Sequence, residues 1–92
     1  PTMSILPKVA GTIMDGVEDL PTAPIMNAIP MACYTSVFNA TGQPAISLPV
    51  HVSADGLPVG VQVVAAPWRE DVLIRLASHL ERARPWAALP EL

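Results

Sequence analysis

Two hydrophobic rhythms divide this chain. Ile46, Leu48, Val50 and Val52 alternate with Ser47, Pro49, His51 and Ser53. Val59, Val61, Val63 and Ala65 alternate in turn with Gly60, Gln62, Val64 and Ala66. A period of two on either side of Asp55-Gly56 predicts a β-hairpin. Its loop is longer than the two residues of a tight primed turn. Pro49 has no N–H to donate, so its strand lies at an edge or leaves one position unpaired. The second strand is small or apolar on both faces, the pattern of a sheet covered on each side. Beyond Trp68 the period lengthens. Val72, Leu73, Leu76, Ala77, Leu80 and Ala83 fall at helical spacing, with Arg69, Arg75, Arg82 and Arg84 on other faces. Glu70 and Asp71 open this amphipathic helix and Arg82 and Arg84 close it, matching the helix dipole, before Pro85 stops it.

The first half is less regular. Residues 31–41 contain neither Pro nor Gly and end at Gly42, a plausible residue to follow a helix. Tyr34, Val37, Phe38 and Thr41 recur at helical spacing, so a short buried helix is expected there, weakened by β-branched Thr35, Val37 and Thr41. Residues 1–30 hold five prolines and two glycines. That density argues against a long helix and for an extended segment, with one short strand at Met3–Leu6 and a single helical turn at Val17–Leu20. A structureless run of that length is unusual inside an independent small domain.

Composition sharpens the picture. Of 92 residues, 51% are hydrophobic and 14% charged, against about 25% charged in an average domain. Intrinsic disorder requires the opposite balance. Five basic against eight acidic residues leave a net charge of −3, with no basic patch to meet nucleic-acid phosphates. No apolar run is long enough to span a membrane. One cysteine, Cys33, excludes a disulfide framework and, with only two histidines beside it, argues against structural zinc. With so few charges, the roughly 40% of surface that a small fold leaves exposed would have to be largely apolar. The chain therefore reads as a piece of a larger protein. The absence of a signal-peptide pattern leads to the expectation of a cytoplasmic one.

Candidate chemistry is sparse. There is no G-x-S-x-G elbow, and Ser4 to Lys8 is one residue too long for S-x-x-K. Ser47 reads as a buried hydrogen-bonding strand residue. Cys33 with His51 or His79 could pair a thiol with a base, yet Cys33 reads more simply as a small buried hydrophobe. Trp68 and Trp86 bracket the last helix as packing lids. Neither a metal nor a cofactor site is expected.

Three ordered blocks carry a family resemblance. They are Phe38-Asn-Ala-Thr-Gly-Gln-Pro-Ala-Ile-Ser-Leu-Pro-Val50, Asp55-Gly-Leu-Pro-Val-Gly-Val-Gln-Val63, and Trp68-Arg-Glu-Asp-Val-Leu-Ile-Arg-Leu76 with Leu80-Glu81. In this order they resemble the C-terminal end of the amidase signature family, over residues 31 to 84. Pro1-Thr2 is similar to the family's Thr-Pro-Thr strand. Ala83-Arg-Pro-Trp-Ala87 resembles the branch that includes aminohexanoate cyclic-dimer hydrolases.

The resemblance implies an α/β fold: a C-terminal fragment, comprising a short helix, the hairpin and the amphipathic helix, of a mixed sheet covered by helices. Residues 1–30 would form a Pro-rich extended segment on the substrate side, and 31–92 the helix-hairpin-helix part, short of a complete domain. The implied activity is amide hydrolysis by a Ser–cis-Ser–Lys triad. The only lysine here is Lys8, and no Gly-Gly-Ser-rich stretch exists, so the triad lies outside this chain. The chain alone is expected to be inactive.

The implied partners are the remainder of the parent amidase and a small-molecule amide, with neither nucleic acid nor membrane, and a homo-oligomer as one possible assembly. Glutamine-using relatives place an Asp where Ala32 stands, and no carboxylate lies between Asp19 and Asp55, so a less polar amide than glutamine is expected. The resemblance sets residues 33–39 near the acyl side of the substrate. Cys33, Thr35 and Asn39 are the candidate substrate contacts. The rival reading is a standalone interaction module that pairs through exposed strands.

Overall fold

The computed structural model describes residues 1–6, 8–13, 15–16 and 21–86, with the backbone alone for residues 23 and 24. Its elements run α1 (Ala23–Ala32), α2 (Ser36–Thr41), β1 (Ala45–Val52), β2 (Pro58–Val64) and α3 (Glu70–Ala83). The expected α/β order of short helix, hairpin and amphipathic helix is present.

The hairpin is antiparallel, with Ser47 opposite Gln62 and Leu48 opposite Val61. Pairing resumes at His51–Val59, so the register breaks between Leu48 and His51. Pro49 and Val50 together oppose Gly60, which is a β-bulge. The position without a donor is thus placed where the ladder needs none. Residues 53–57 close the loop. The Ser53 N–H donates to the Leu57 carbonyl at 2.8 Å and the Gly56 N–H to the Ser53 carbonyl at 3.0 Å. Gly56 has φ +82°, a left-handed turn position that suits a residue without Cβ.

Alternation sends Leu48 to one sheet face, where it meets α3. Among the described residues Leu48 and Leu73 are the buried core, each 4% exposed. The helix begins at Glu70, where its acidic first turn predicted, and Arg69 and Asp71 pair across its entrance at 2.9 Å. At its other end Arg82 Nε donates to the Ser78 carbonyl, and the Arg84 N–H donates to the Leu80 carbonyl. The second face of the hairpin carries Ala45, Ser47, Gly60, Gln62 and Val64. Among the described residues no element packs it closely, and β2 is half-buried there and not covered on both sides.

The N-terminal third departs from expectation. Residues 23–32 form a helix in a segment expected to be extended. Pro24 stands in its first turn, where a missing N–H costs nothing. Pro30 stands inside the helix, two residues from its end, and forfeits the ladder bond to the Met26 carbonyl. Local density of proline is a poor guide when one proline opens a helix and the other is carried inside it at the loss of one bond. The single helix expected over 31–41 is likewise divided. Its first residues finish α1, Cys33–Thr35 form a corner, and α2 has only six residues, none buried. At the corner the Thr35 N–H and Oγ1 both donate to the Ala32 carbonyl at 3.1 Å, a tight three-residue turn in place of a continuous ladder. Gly42 does follow the helix as expected, with φ +70° and its N–H on the Phe38 carbonyl.

Met3–Leu6 forms bends, not a strand, although the Thr2 N–H donates to the Gly60 carbonyl at 2.7 Å along the free edge of β2. The turn expected at Val17–Leu20 and the family-like Ala87 lie outside the described residues. Trp68 is not a packing lid. It is 89% exposed and holds φ +66°, an uncommon backbone for a bulky residue.

The chain has an accessible surface of 7026 Å², where a compact monomer of its 9.7 kDa mass would have about 5,100 Å². Its radius of gyration is 15.9 Å, against about 12 Å for a compact domain of this length. Ile25, Met26, Ile29, Tyr34 and Val37 stand about half exposed or more along α1, the corner after it and the start of α2. Among the described residues, no helix is long and apolar enough to cross a membrane.

Candidate functional site

The open sheet face and the corner between α1 and α2 enclose two adjoining hollows. One, of about 390 Å³, is lined by Pro1, Cys33, Tyr34, Val37, Phe38, Gln62 and Val64. The other, of about 260 Å³, is bordered by Thr2, Thr35, Phe38, Asn39, Gln43, Ser47 and Gln62. Cys33 therefore lines the first, and Thr35 and Asn39 the second. Phe38 and Gln62 are common to both.

Each candidate residue has a definite setting. Cys33 is a free, exposed thiol whose Sγ lies 3.5 Å from the Pro30 carbonyl, so it is not the buried space-filler that its residue type suggested. Thr35 is half-buried, and its own carbonyl accepts from the N–H groups of Phe38 and Asn39 at the start of α2. The Asn39 side chain is exposed and forms no hydrogen bond with the described residues. It does not cap Gly42, which the backbone closes unaided.

Ser47 is exposed by the openness of its face, yet its hydroxyl is held. Thr2 Oγ1 and Ser47 Oγ lie 2.5 Å apart above Gly60, where an added Cβ would come within 2.5 Å of Ser47 Oγ and 2.9 Å of Thr2 Oγ1. Glycine at position 60 thus admits the N-terminal segment to the sheet. Gln43 and Gln62 complete the polar rim. Gln43 Nε2 donates to the Ala65 carbonyl and Gln62 Nε2 to the Tyr34 carbonyl, each at 3.3 Å.

The side chains here are neutral donors and acceptors with no charge among them. Among the described residues, hydrogen bonds bring no histidine, lysine or carboxylate to Cys33, Ser47 or Thr2, and no cluster could hold a metal ion. His51, His79 and Lys8 are exposed elsewhere. The arrangement can therefore receive and orient a neutral polar group, and it contains no nucleophile–base pair. Sequence reasoning singled out Cys33, Thr35 and Asn39 and passed over Thr2, Gln43 and Gln62. The missed signal was the alternation itself, which puts Gln62 on the same sheet face as Ser47.

The Amidase family model matches residues 1–74. The chain belongs to the amidase family. It is 47% identical over 88 residues to the 6-aminohexanoate-cyclic-dimer hydrolase of Pseudomonas sp. (strain NK87), covering 96% of this chain and 17% of that protein. The hydrolase of the same name from Paenarthrobacter ureafaciens is 46% identical over the same shares. The putative amidase AmiC of Mycobacterium bovis is 55% identical over 61% of this chain and 12% of its own length. Among solved structures, a 6-aminohexanoate cyclic dimer hydrolase complexed with substrate superimposes with a TM-score of 0.79 at 42% identity, over 94% of this chain and 19% of that one. This amidase-family chain thus spans about a sixth of the length of the two cyclic-dimer hydrolases. The expected family is the family found.

Proposed function

We propose that this chain forms the C-terminal part of an amide hydrolase, which cleaves a carbon–nitrogen bond with a Ser–cis-Ser–Lys triad carried by the rest of the enzyme. The observation that carries this reading is its match, at nearly full length, to about a sixth of two cyclic-dimer hydrolases. The excess of exposed surface and the apolar stripe of α1 support it, since both need a cover that the remaining polypeptide would supply. The same stripe would serve a homo-oligomeric contact where that cover leaves it open. A free, exposed thiol suits a cytoplasmic enzyme.

The chain's contribution is a wall of the substrate pocket. Cys33, Thr35 and Asn39 would face the acyl side of a neutral amide of low polarity, such as the cyclic dimer named for its relatives. The uncharged rim and the lack of a carboxylate between Asp19 and Asp55 favour such a substrate over one with a free ammonium group.

The test is an exchange of segments. The purified chain is expected to turn over no amide. The Pseudomonas hydrolase carrying this chain in place of its matched segment is expected to retain amide hydrolysis. In that hybrid Cys33→Asp should lower activity on apolar amides by about ten-fold more than on polar ones, because an unpaired carboxylate is costly to desolvate. Turnover by the chain alone that vanishes in Ser47→Ala or Cys33→Ala would overturn the reading, as would a folded but inactive hybrid.

A further inference from the structure

The corner that carries Cys33 is stiff within itself. The Thr35 N–H and Thr35 Oγ1 both donate to the Ala32 carbonyl at 3.1 Å, and Cys33 Sγ lies on the Pro30 carbonyl. Its attachment to the sheet is another matter. The Tyr34 carbonyl falls between the two helices and belongs to neither ladder, and the donor that satisfies it is Gln62 Nε2 at 3.3 Å. Gln62 is half-buried on β2 and, with Phe38, separates the hollow bordered by Cys33 from the one bordered by Thr35 and Asn39.

We infer that Gln62 is a positioning residue for substrate selectivity, its amide fixing the Cys33–Thr35 corner over the sheet while its stem divides the two hollows. The inference rests on the reading of these hollows as substrate-pocket wall. Two properties of the side chain then separate. The N–H sets where the corner sits, and the methylene stem sets how large a group enters. Gln62→Met keeps the stem and removes the donor. Gln62→Ala removes both and joins the hollows. Gln62→Glu restores a donor only when its carboxyl is protonated, since the O–H can then reach the Tyr34 carbonyl that the carboxylate would repel.

The first measurement uses the 92-residue chain and needs no activity. Cys33 is labelled with a pyridyl disulfide, which reacts at acid as well as neutral pH. One neutral hydrogen bond is lost, so Gln62→Met is expected to speed labelling about three- to ten-fold relative to the unmodified chain at the same pH. Gln62→Glu is expected to match Gln62→Met at neutral pH and the unmodified chain at acid pH. Equal labelling rates in all three, at both pH values, would overturn the tether.

The second measurement uses the segment-exchanged hydrolase. Gln62→Ala is expected to shift the kcat/KM ratio toward a bulkier amide, with the change in KM exceeding that in kcat. Ser53→Ala, which breaks a hairpin-loop hydrogen bond to Leu57 remote from the corner, is expected to lower the melting temperature and leave the ratio unchanged. A ratio unmoved by Gln62→Ala, or moved equally by Ser53→Ala, would overturn the selectivity role. An inactive parent hybrid alongside altered labelling would instead reject the amidase reading and keep the tether.

Discussion

Replacing Gly60 by alanine tests how the N-terminal segment is joined to the sheet. The new Cβ would come within 2.5 Å of Ser47 Oγ and 2.9 Å of Thr2 Oγ1, closer than carbon and oxygen can approach. The backbone at position 60 is not left-handed, so the penalty is one of space and not of φ. Both obstructing atoms are hydroxyls at the ends of short side chains, which can rotate away. In doing so they lose the 2.5 Å bond between them and loosen the Thr2 N–H to Gly60 carbonyl bond of 2.7 Å. Each neutral hydrogen bond contributes about 0.5–1.5 kcal/mol net, so Gly60→Ala is expected to weaken the joint by about 1–2 kcal/mol. Amide exchange at Thr2 should then accelerate about 5- to 30-fold.

Ser47→Ala alone removes one bond and costs about 0.5–1.5 kcal/mol. Once Ser47 has lost its hydroxyl, the nearest obstacle to the new Cβ is gone and only Thr2 must move. The double variant is therefore expected to cost less than the sum of the two, by about 0.5–1 kcal/mol, as for residues in direct contact. Hydrogen exchange across the four members of the cycle measures this coupling. Additivity within about 0.3 kcal/mol would show that Gly60 does not make room for the hydroxyl pair.

Two further expectations concern α3. Leu73→Ala empties half of the buried Leu48–Leu73 contact and is expected to cost about 2–3 kcal/mol, the low end for core leucines because the site has an open side and can collapse. Ile74→Ala, at a position 66% exposed, should change stability by less than about 0.5 kcal/mol; urea midpoints that rank the two equally would contradict this packing. At the helix entrance, the hydrogen bond from the Arg69 guanidinium, aided by its charge, holds the Asp71 carboxyl below its ordinary value. A depressed pKa adds stability above the ordinary carboxylate range, which is lost as the pH falls through the lowered value. Both side chains are more than half exposed, so the effect is small and salt should weaken it. A carboxyl titration of Asp71 by NMR with its midpoint at or above the ordinary aspartate value would contradict the pairing.

Local periodicity was enough for some of this protein and not for the rest. The period-two runs determined the hairpin. The missing donor of Pro49 marked where its ladder breaks, and the spacing from Val72 to Ala83 determined α3, because these patterns depend on residues close in sequence. Gly42 ended a helix for an equally local reason, its freedom to take positive φ. The position of α1 was not legible in this way. Proline disfavours helix without forbidding it, and sequence density does not say that Pro24 begins a helix and that the helix carries Pro30 inside it. The division at Cys33–Thr35 was equally hidden, since neither proline nor glycine marks it.

Family words along the sequence pointed to amide chemistry and to Cys33, Thr35 and Asn39. Only the tertiary structure decided which hollow each one borders and that Thr2, Gln43 and Gln62 share the rim. Those residues lie on segments far apart along the chain, and antiparallel register together with an edge contact from the N-terminus brings them to one sheet face. The exposed Trp68 and the bare stripe of α1 mark the same limit from the other side. Apolar residues state that they require a covering surface, and the fold decides whether this chain contains it.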